Sequence, residues 1–147
     1  MGASSGIGRE TALRFASNGA KVVVSARSEE GLRSLVEQIR AEGGEATAVT
    51  ADVVEFDQVE AVAQKTVEQY GRLDTWVHLA AVGLFAPFDR TRPEEFRRVV
   101  EVDLMGQVYG AMAALPRIMR EGRGALVHVY LRGGQTLGAL AERLLRL

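Results

Sequence analysis

A doubly wound α/β fold, a parallel sheet with α-helices on both faces, is predicted by three observations on this 147-residue chain. Gly2-Ala-Ser-Ser-Gly-Ile-Gly8 is a glycine-rich turn that runs straight into a helical pattern. Short β-branched runs then alternate with amphipathic helical runs up to residue 130, the order that yields parallel strands joined by crossover helices. The composition, 47% hydrophobic and 25% charged, suffices for the core of one domain. No repeat, low-complexity segment or second domain is evident.

The elements follow in order. Gly2 permits a tight turn, Gly6 lets backbone approach a pyrophosphate without a Cβ in the way, and Gly8 lets the next helix pack closely on the sheet. Phosphates placed there meet free N–H groups and the positive end of a helix dipole, and Ser4 and Ser5 add hydroxyl donors beside Ile7. Residues 9–18 read as a helix with Ala12, Leu13, Phe15 and Ala16 on its apolar stripe, stopped at Asn18-Gly19. Lys21 to Ala26 is a buried parallel strand. An acid at its end would bind a free ribose 2′-hydroxyl, whereas an arginine accommodates a 2′-phosphate. The place is held by Ala26 and then Arg27, which favours NADP(H) over NAD(H); a solvated strand-end arginine is the other reading. Residues 28–42 form an amphipathic helix with Ser28 as cap and Gly43-Gly44 at its end. Residues 46–50 are a strand, 56–70 a helix ended by Gly71, and 74–80 a strand. A Phe- and Pro-bearing loop at 83–92 leads to a long helix from 93 to about 120, opened by Pro93, Glu94 and Glu95 and kinked or interrupted at Pro116. Residues 124–130 are the last strand.

These motifs together resemble the short-chain dehydrogenases/reductases, in their NADP-preferring branch, from Gly2 to about Val129. Gly2 to Gly8 is similar to that family's Thr-Gly-x-x-x-Gly-x-Gly loop, with Met1 in place of the threonine. Ala51-Asp52-Val53 resembles the Asp-Val pair that closes on the adenine ring. Gly71-Arg72-Leu73-Asp74 is similar to the lead into the family's fourth strand, Val102-Asp103-Leu104-Met105-Gly106 to its Val-Asn-x-x-Gly helix motif, and Gly122 to Val129 to its fifth strand. The resemblance implies a Rossmann-like fold over residues 1–131 that binds a dinucleotide through Gly2, Ser4, Ser5, Gly6, Ile7, Gly8, Arg27, Asp52, Val53 and Ala80. It also implies hydride transfer with NADP(H), NAD(H) being disfavoured, to or from a small-molecule carbonyl or alcohol, and a homo-oligomer in the complete form.

The departures bear on activity. Where the family has Asn-Asn-Ala-Gly, this chain has His78-Leu79-Ala80-Ala81, and His78 reads as a strand residue satisfied by a backbone partner. The family's helix asparagine is Asp103 here, which cannot donate when ionised. Where the family has its paired serines, this chain has Tyr130 and Leu131. The catalytic tyrosine falls at Leu144 and its lysine beyond Leu147. The three tyrosines, Tyr70, Tyr109 and Tyr130, and the two lysines, Lys21 and Lys65, make no Tyr-x-x-x-Lys. No catalytic residue is therefore assigned, since an unassisted phenol with a pKa near 10 is a poor acid at neutral pH.

Both ends depart as well. In this fold the strand ahead of the glycine loop is central, so a chain starting at Met1 would hold strands 21–26 and 74–80 roughly 9 to 10 Å apart. Buried unpaired backbone groups cost about 1 to 3 kcal/mol each, so the chain alone is expected to be unstable or aggregation-prone. Residues 132–147 form a divergent tail with Leu137, Leu140, Leu144 and Leu147 at helical spacing. It reads either as an out-of-frame segment or as a stripe for a partner helix.

A net charge of -1 gives no drive toward nucleic acid or membranes. The absence of cysteine excludes disulfides, a catalytic thiol and thiolate metal sites, and no metal site is assigned. With no signal and no long apolar run, cytoplasm is the default. Three functions stay open: an NADP(H)-dependent oxidoreductase present here in part, a noncatalytic nucleotide-binding protein, and an interaction module.

Overall fold

The computed structural model describes residues 1–129; the tail predicted from residue 132, together with Tyr130 and Leu131, lies outside the described residues. Helix α1 (Gly6–Ser17) starts earlier than the pattern predicted, because extended backbone at Ser5 opens the helix directly out of the glycine loop. Its inward face is Gly8, Ala12 and Ala16, and Phe15, expected on that stripe, is exposed. Small residues let this helix lie close to the strands.

Strand β1 (Lys21–Ala26) and helix α2 (Glu29–Ala41) stand where they were predicted. Ser28 caps α2 by accepting the Gly31 N–H at 3.2 Å, and Leu32, Leu35, Val36 and Ile39 form its buried stripe. Strand β2 (Glu45–Thr50), helix α3 (Phe56–Tyr70) and strand β3 (Thr75–His78) follow, α3 being ended by Gly71 at φ 80. The long helix is α4 (Pro93–Val100) and α5 (Gly106–Arg120), joined through one wide π turn at Glu101–Met105. Pro116 lies inside α5 without interrupting it, so the irregular turn falls elsewhere than predicted. Strand β4 (Ala125–His128) comes last, and no described helix is long and apolar enough to cross a membrane.

The strands form two parallel pairs, β1 with β2 from Lys21↔Glu45 to Ala26↔Thr50, and β3 with β4 from Thr75↔Ala125 to His78↔His128. β1 and β3 are not bonded to each other. Residues 1–3 stand between them: Met1 N donates to the Val77 carbonyl (2.8 Å) and the Met1 carbonyl accepts the Leu79 N–H (3.0 Å). On the other side, the Gly2 and Ala3 N–H groups both donate to the Ser25 carbonyl at 2.8 and 3.0 Å. A cleft of about 490 Å³ lies between the two pairs, lined by Val22, Val23, Val24, Thr75, Trp76 and Val77 and reaching Ala3 and Gly8 of the glycine loop.

Side-chain alternation places helices on both faces. Val24 and Ala26 join Ala12, Ala16 and the α2 stripe in one cluster. Val23 and Val49 pack instead with Val59, Val62, Trp76, Ala113 and Ile118 in the other. The chain therefore has the α/β, Rossmann-like architecture expected of it.

A polar layer lies within the second half. Trp76 Nε1, both ring nitrogens of His78, His128 Nε2 and Gln107 Oε1 are buried without a hydrogen-bond partner among the described residues. The two imidazoles lie 5.7 Å apart, and α5 reaches this layer through Gly110, where a Cβ would come within 2.6 Å of His78 Nδ1. The backbone partner expected for the His78 side chain is thus absent among the described residues, and only its backbone is engaged, the carbonyl accepting the Val129 N–H at 2.9 Å. Burial, reinforced by the nearby N-terminal amine and His128, pushes the His78 pKa from 6.5 down to about 3. Above pH 6.5 this costs nothing, because His78 is neutral folded and unfolded. As pH falls from 6.5 toward about 3 only the unfolded chain takes up the proton, and stability drops by ~1.4 kcal/mol per pH unit. Urea unfolding across pH 7 to 4 is expected to show a steeper decline in the wild type than in His78→Leu; equal slopes would exclude the histidine as the cause.

Candidate functional site

The first turn of α1 forms one wall of a cleft of about 690 Å³ at the ends of β1, β2 and β3. The wall is fixed by backbone that tolerates no side chain. Gly2 has φ +83, and a Cβ on it would stand 2.6 Å from the Ala80 nitrogen. A Cβ on Gly8 would fall on the Gly2 carbonyl, so Gly8 brings the helix against its own loop rather than against the sheet as the sequence predicted. Gly6 is left-handed at φ +54 and faces open space.

The electrostatics follow from this geometry. Ser5 is the extended N-cap residue of α1, and its hydroxyl makes no capping bond. The first N–H groups of a helix have no carbonyl partner within it, and α1 carries no acidic residue in its first turn. The positive helix end therefore faces the cleft unneutralised, with Ser4, Ser5, Ile7 and Gly8 on the lining.

The opposite wall comes from the strand ends. Ala26, Arg27 and Ser28 follow β1, and Ala51, Asp52 and Val53 follow β2. Arg27 is exposed and makes no ion pair among the described residues. Asp52 is held on three sides: Oδ1 accepts the Val54 N–H (3.2 Å), Oδ2 accepts from Arg98 Nη2 (3.2 Å), and its own N–H donates to Gln58 Oε1 (2.9 Å). Val53 is buried against Gly106, where a Cβ would come within 3.0 Å of Val53 Cγ2. After β3, Leu79, Ala80, Ala81 and Val82 complete the lining with Val102 and Val129. Asp103 Oδ1 accepts the Val82 N–H at 2.8 Å, a contact that needs only an acceptor and makes no use of the amide donor an asparagine would carry.

Nine of the ten residues singled out in the sequence come together: Gly2, Ser4, Ser5, Ile7, Gly8, Arg27, Asp52, Val53 and Ala80 line the cleft, and Gly6 does not. Sequence reasoning missed Arg98, Val102 and Val129. Arg98 sits among other charged residues on α4, and nothing in its local pattern reveals a partner 46 positions away. The described tyrosines are remote from this lining: the Tyr70 hydroxyl pairs with Thr47 Oγ1 (3.1 Å), and Tyr109 packs edge-on against Phe56. Lys21 and Lys65 pair with Glu45 and Glu68. Among the described residues no group of three potential metal ligands is assembled.

Known proteins agree with this architecture. The family model described as short chain dehydrogenase matches residues 1–139. An uncharacterized oxidoreductase, YxnA, of Bacillus subtilis is 40% identical over 129 residues, covering 87% of this chain and 36% of the relative. The 3-oxoacyl-[acyl-carrier-protein] reductase FabG of Thermotoga maritima is 34% identical over 141 residues, covering 92% and 57%. Among solved structures, a metagenomic short-chain oxidoreductase in complex with NADP superposes with a TM-score of 0.85 at 33% identity, over 92% of this chain and 62% of that one. A 7α-hydroxysteroid dehydrogenase complexed with NADH gives a TM-score of 0.84 at 30% identity, over 88% and 50%. The chain thus spans between about a third and just over half of these curated relatives. On its fold and on a family match over most of its length, the chain belongs to the short-chain dehydrogenase/reductase family of oxidoreductases.

Proposed function

We propose that the cleft binds NADP(H), as the nucleotide-binding part of an oxidoreductase that transfers hydride to or from a carbonyl or alcohol substrate. The observation that carries this reading is the α1 wall: free helix N–H groups, no acid in the first turn, and glycines at the places where a Cβ would block the loop. In this reading Gly2, Ser4, Ser5, Gly6, Ile7 and Gly8 cradle the pyrophosphate. Asp52 and Val53 close on the adenine, Ala80 lies beside the nicotinamide half, and Arg27 takes the ribose 2′-phosphate.

Arg27 follows a strand that ends in Ala26 rather than in an acid, which supports NADP(H) over NAD(H). When bound, the nicotinamide supplies the hydride for carbonyl reduction or alcohol oxidation. This chain's own residues would bind and orient the nucleotide. Its Tyr-x-x-x-Lys and serine are absent from the sequence, so proton transfer to a substrate is assigned to no residue here.

For the complete form we place self-association on the apolar stripe of Leu104, Val108, Met112, Leu115 and Met119. These residues recur at three- and four-residue spacing on the long helix and are all exposed.

NADPH is expected to quench intrinsic fluorescence saturably and raise the unfolding midpoint of the chain by mass action, without turnover. Soluble folded chain that binds neither NADPH nor NADH would overturn the reading. Arg27→Ala is expected to weaken NADPH binding about tenfold while leaving NADH within about twofold, since one charge-assisted phosphate contact is removed. An equal loss for both nucleotides would assign Arg27 elsewhere. Sedimentation is expected to show weaker self-association for Met112→Glu than for the wild type, and unchanged association would remove the stripe as the interface.

A further inference from the structure

We infer that Arg98 is a positioning residue for the adenosine end of the cleft: by pairing with Asp52 it fixes that carboxylate and neutralises it against an anionic nucleotide. The inference rests on the nucleotide-binding reading above and adds to it a residue on a different element, helix α4.

Three observations carry it. Arg98 Nη2 lies 3.2 Å from Asp52 Oδ2, and both side chains line the same cleft. The pair is partly buried, with side chains 36% and 25% exposed, so screening by solvent is incomplete. The second carboxylate oxygen is already engaged by the Val54 N–H, which leaves Arg98 as the one cationic partner of Asp52 among the described residues.

The chemical consequence is a charge balance inside the cleft. NADPH brings phosphate charge to a cleft whose lining already holds a carboxylate, and like charges within one cleft oppose binding. With Arg98 in place the Asp52 carboxylate is matched, and its orientation is set from α4 as well as from its own turn. Without Arg98 the carboxylate, still held by the Val54 N–H, would line the cleft with no cationic partner. The penalty then grows with the charge of the ligand, being small for neutral adenosine and large for 2′,5′-ADP or NADPH.

The experiment is a double-mutant cycle read by fluorescence and calorimetric titration of the full chain with NADPH, 2′,5′-ADP and adenosine. Arg98→Met is expected to weaken NADPH and 2′,5′-ADP about tenfold and adenosine less than about threefold. Arg98→Lys should retain most of the affinity, because charge rather than guanidinium shape is at stake. In Arg98→Met/Asp52→Asn most of the NADPH affinity should return, since the unmatched charge is gone. The inference is overturned if Arg98→Met binds NADPH as the wild type does. It is equally overturned if the loss is undiminished in the Asp52→Asn background, which would make Arg98 a direct phosphate ligand or a purely structural residue. Failure of the wild type to bind any nucleotide would instead defeat the nucleotide reading itself, and this inference with it.

Discussion

Residues 1–3 carry the backbone hydrogen bonds that join the two strand pairs. The two strand pairs share no hydrogen bond, and the backbone link between them is Met1 between Val77 and Leu79 on one side and Gly2-Ala3 on the Ser25 carbonyl on the other. The same three residues begin the loop that forms the cleft wall. Positioning of the α1 N-terminus relative to β3 is therefore set by the contacts that join the sheet halves. Gly2 is the point where both demands meet, since its amide is spent on β1 while its Cα lies against Ala80. A bulkier residue would separate the halves and move the helix end together.

Burial across the fold is uneven. The half containing α1, α2, β1 and β2 is mainly aliphatic, built on Leu32, Leu35, Ile39 and Val24, with the Ser25 hydroxyl its buried polar side-chain atom without a partner among the described residues. The half under α5 carries unpartnered imidazole, indole and amide groups instead. An unpaired buried polar group costs about 1 to 3 kcal/mol. Cooperative stability should therefore be anchored in the first half, with β3 and β4 opening more readily.

Most of the elements were legible in the sequence because local chemistry decides them. Ser28 caps, Gly71 stops a helix in a left-handed turn, and β-branched 21–26 has no helical alternative, so those boundaries agree with the structure. The loop residues were legible as well, since glycine spacing reports close backbone approaches. What escaped was decided by distance in the chain. Phe15 fits an apolar stripe by periodicity, but the small residues Ala12 and Ala16 take the sheet face and leave it exposed. The Arg98–Asp52 pair depends on α4 folding back across the cleft, which no window of sequence contains. His78 looked ordinary because burial without a partner for either nitrogen is a tertiary property.

The π turn explains why aspartate is accepted where the family has asparagine. A wide turn within a long helix displaces the side chains that follow it, and such turns recur where a helix serves a site. Here Val102 reaches the cleft lining while Asp103 turns to the strand-end loop and takes the Val82 N–H. That contact needs an acceptor and nothing else, so an ionised carboxylate serves it at least as well as an amide oxygen. Gly106, immediately after the turn, then lets α5 close on Val53. The turn thus ties both ends of the cleft, Val53 beyond β2 and Val82 beyond β3, to one helix. The acceptor part of the asparagine's role survives the substitution, while its capacity to donate a hydrogen bond does not, and the two roles separate at this position.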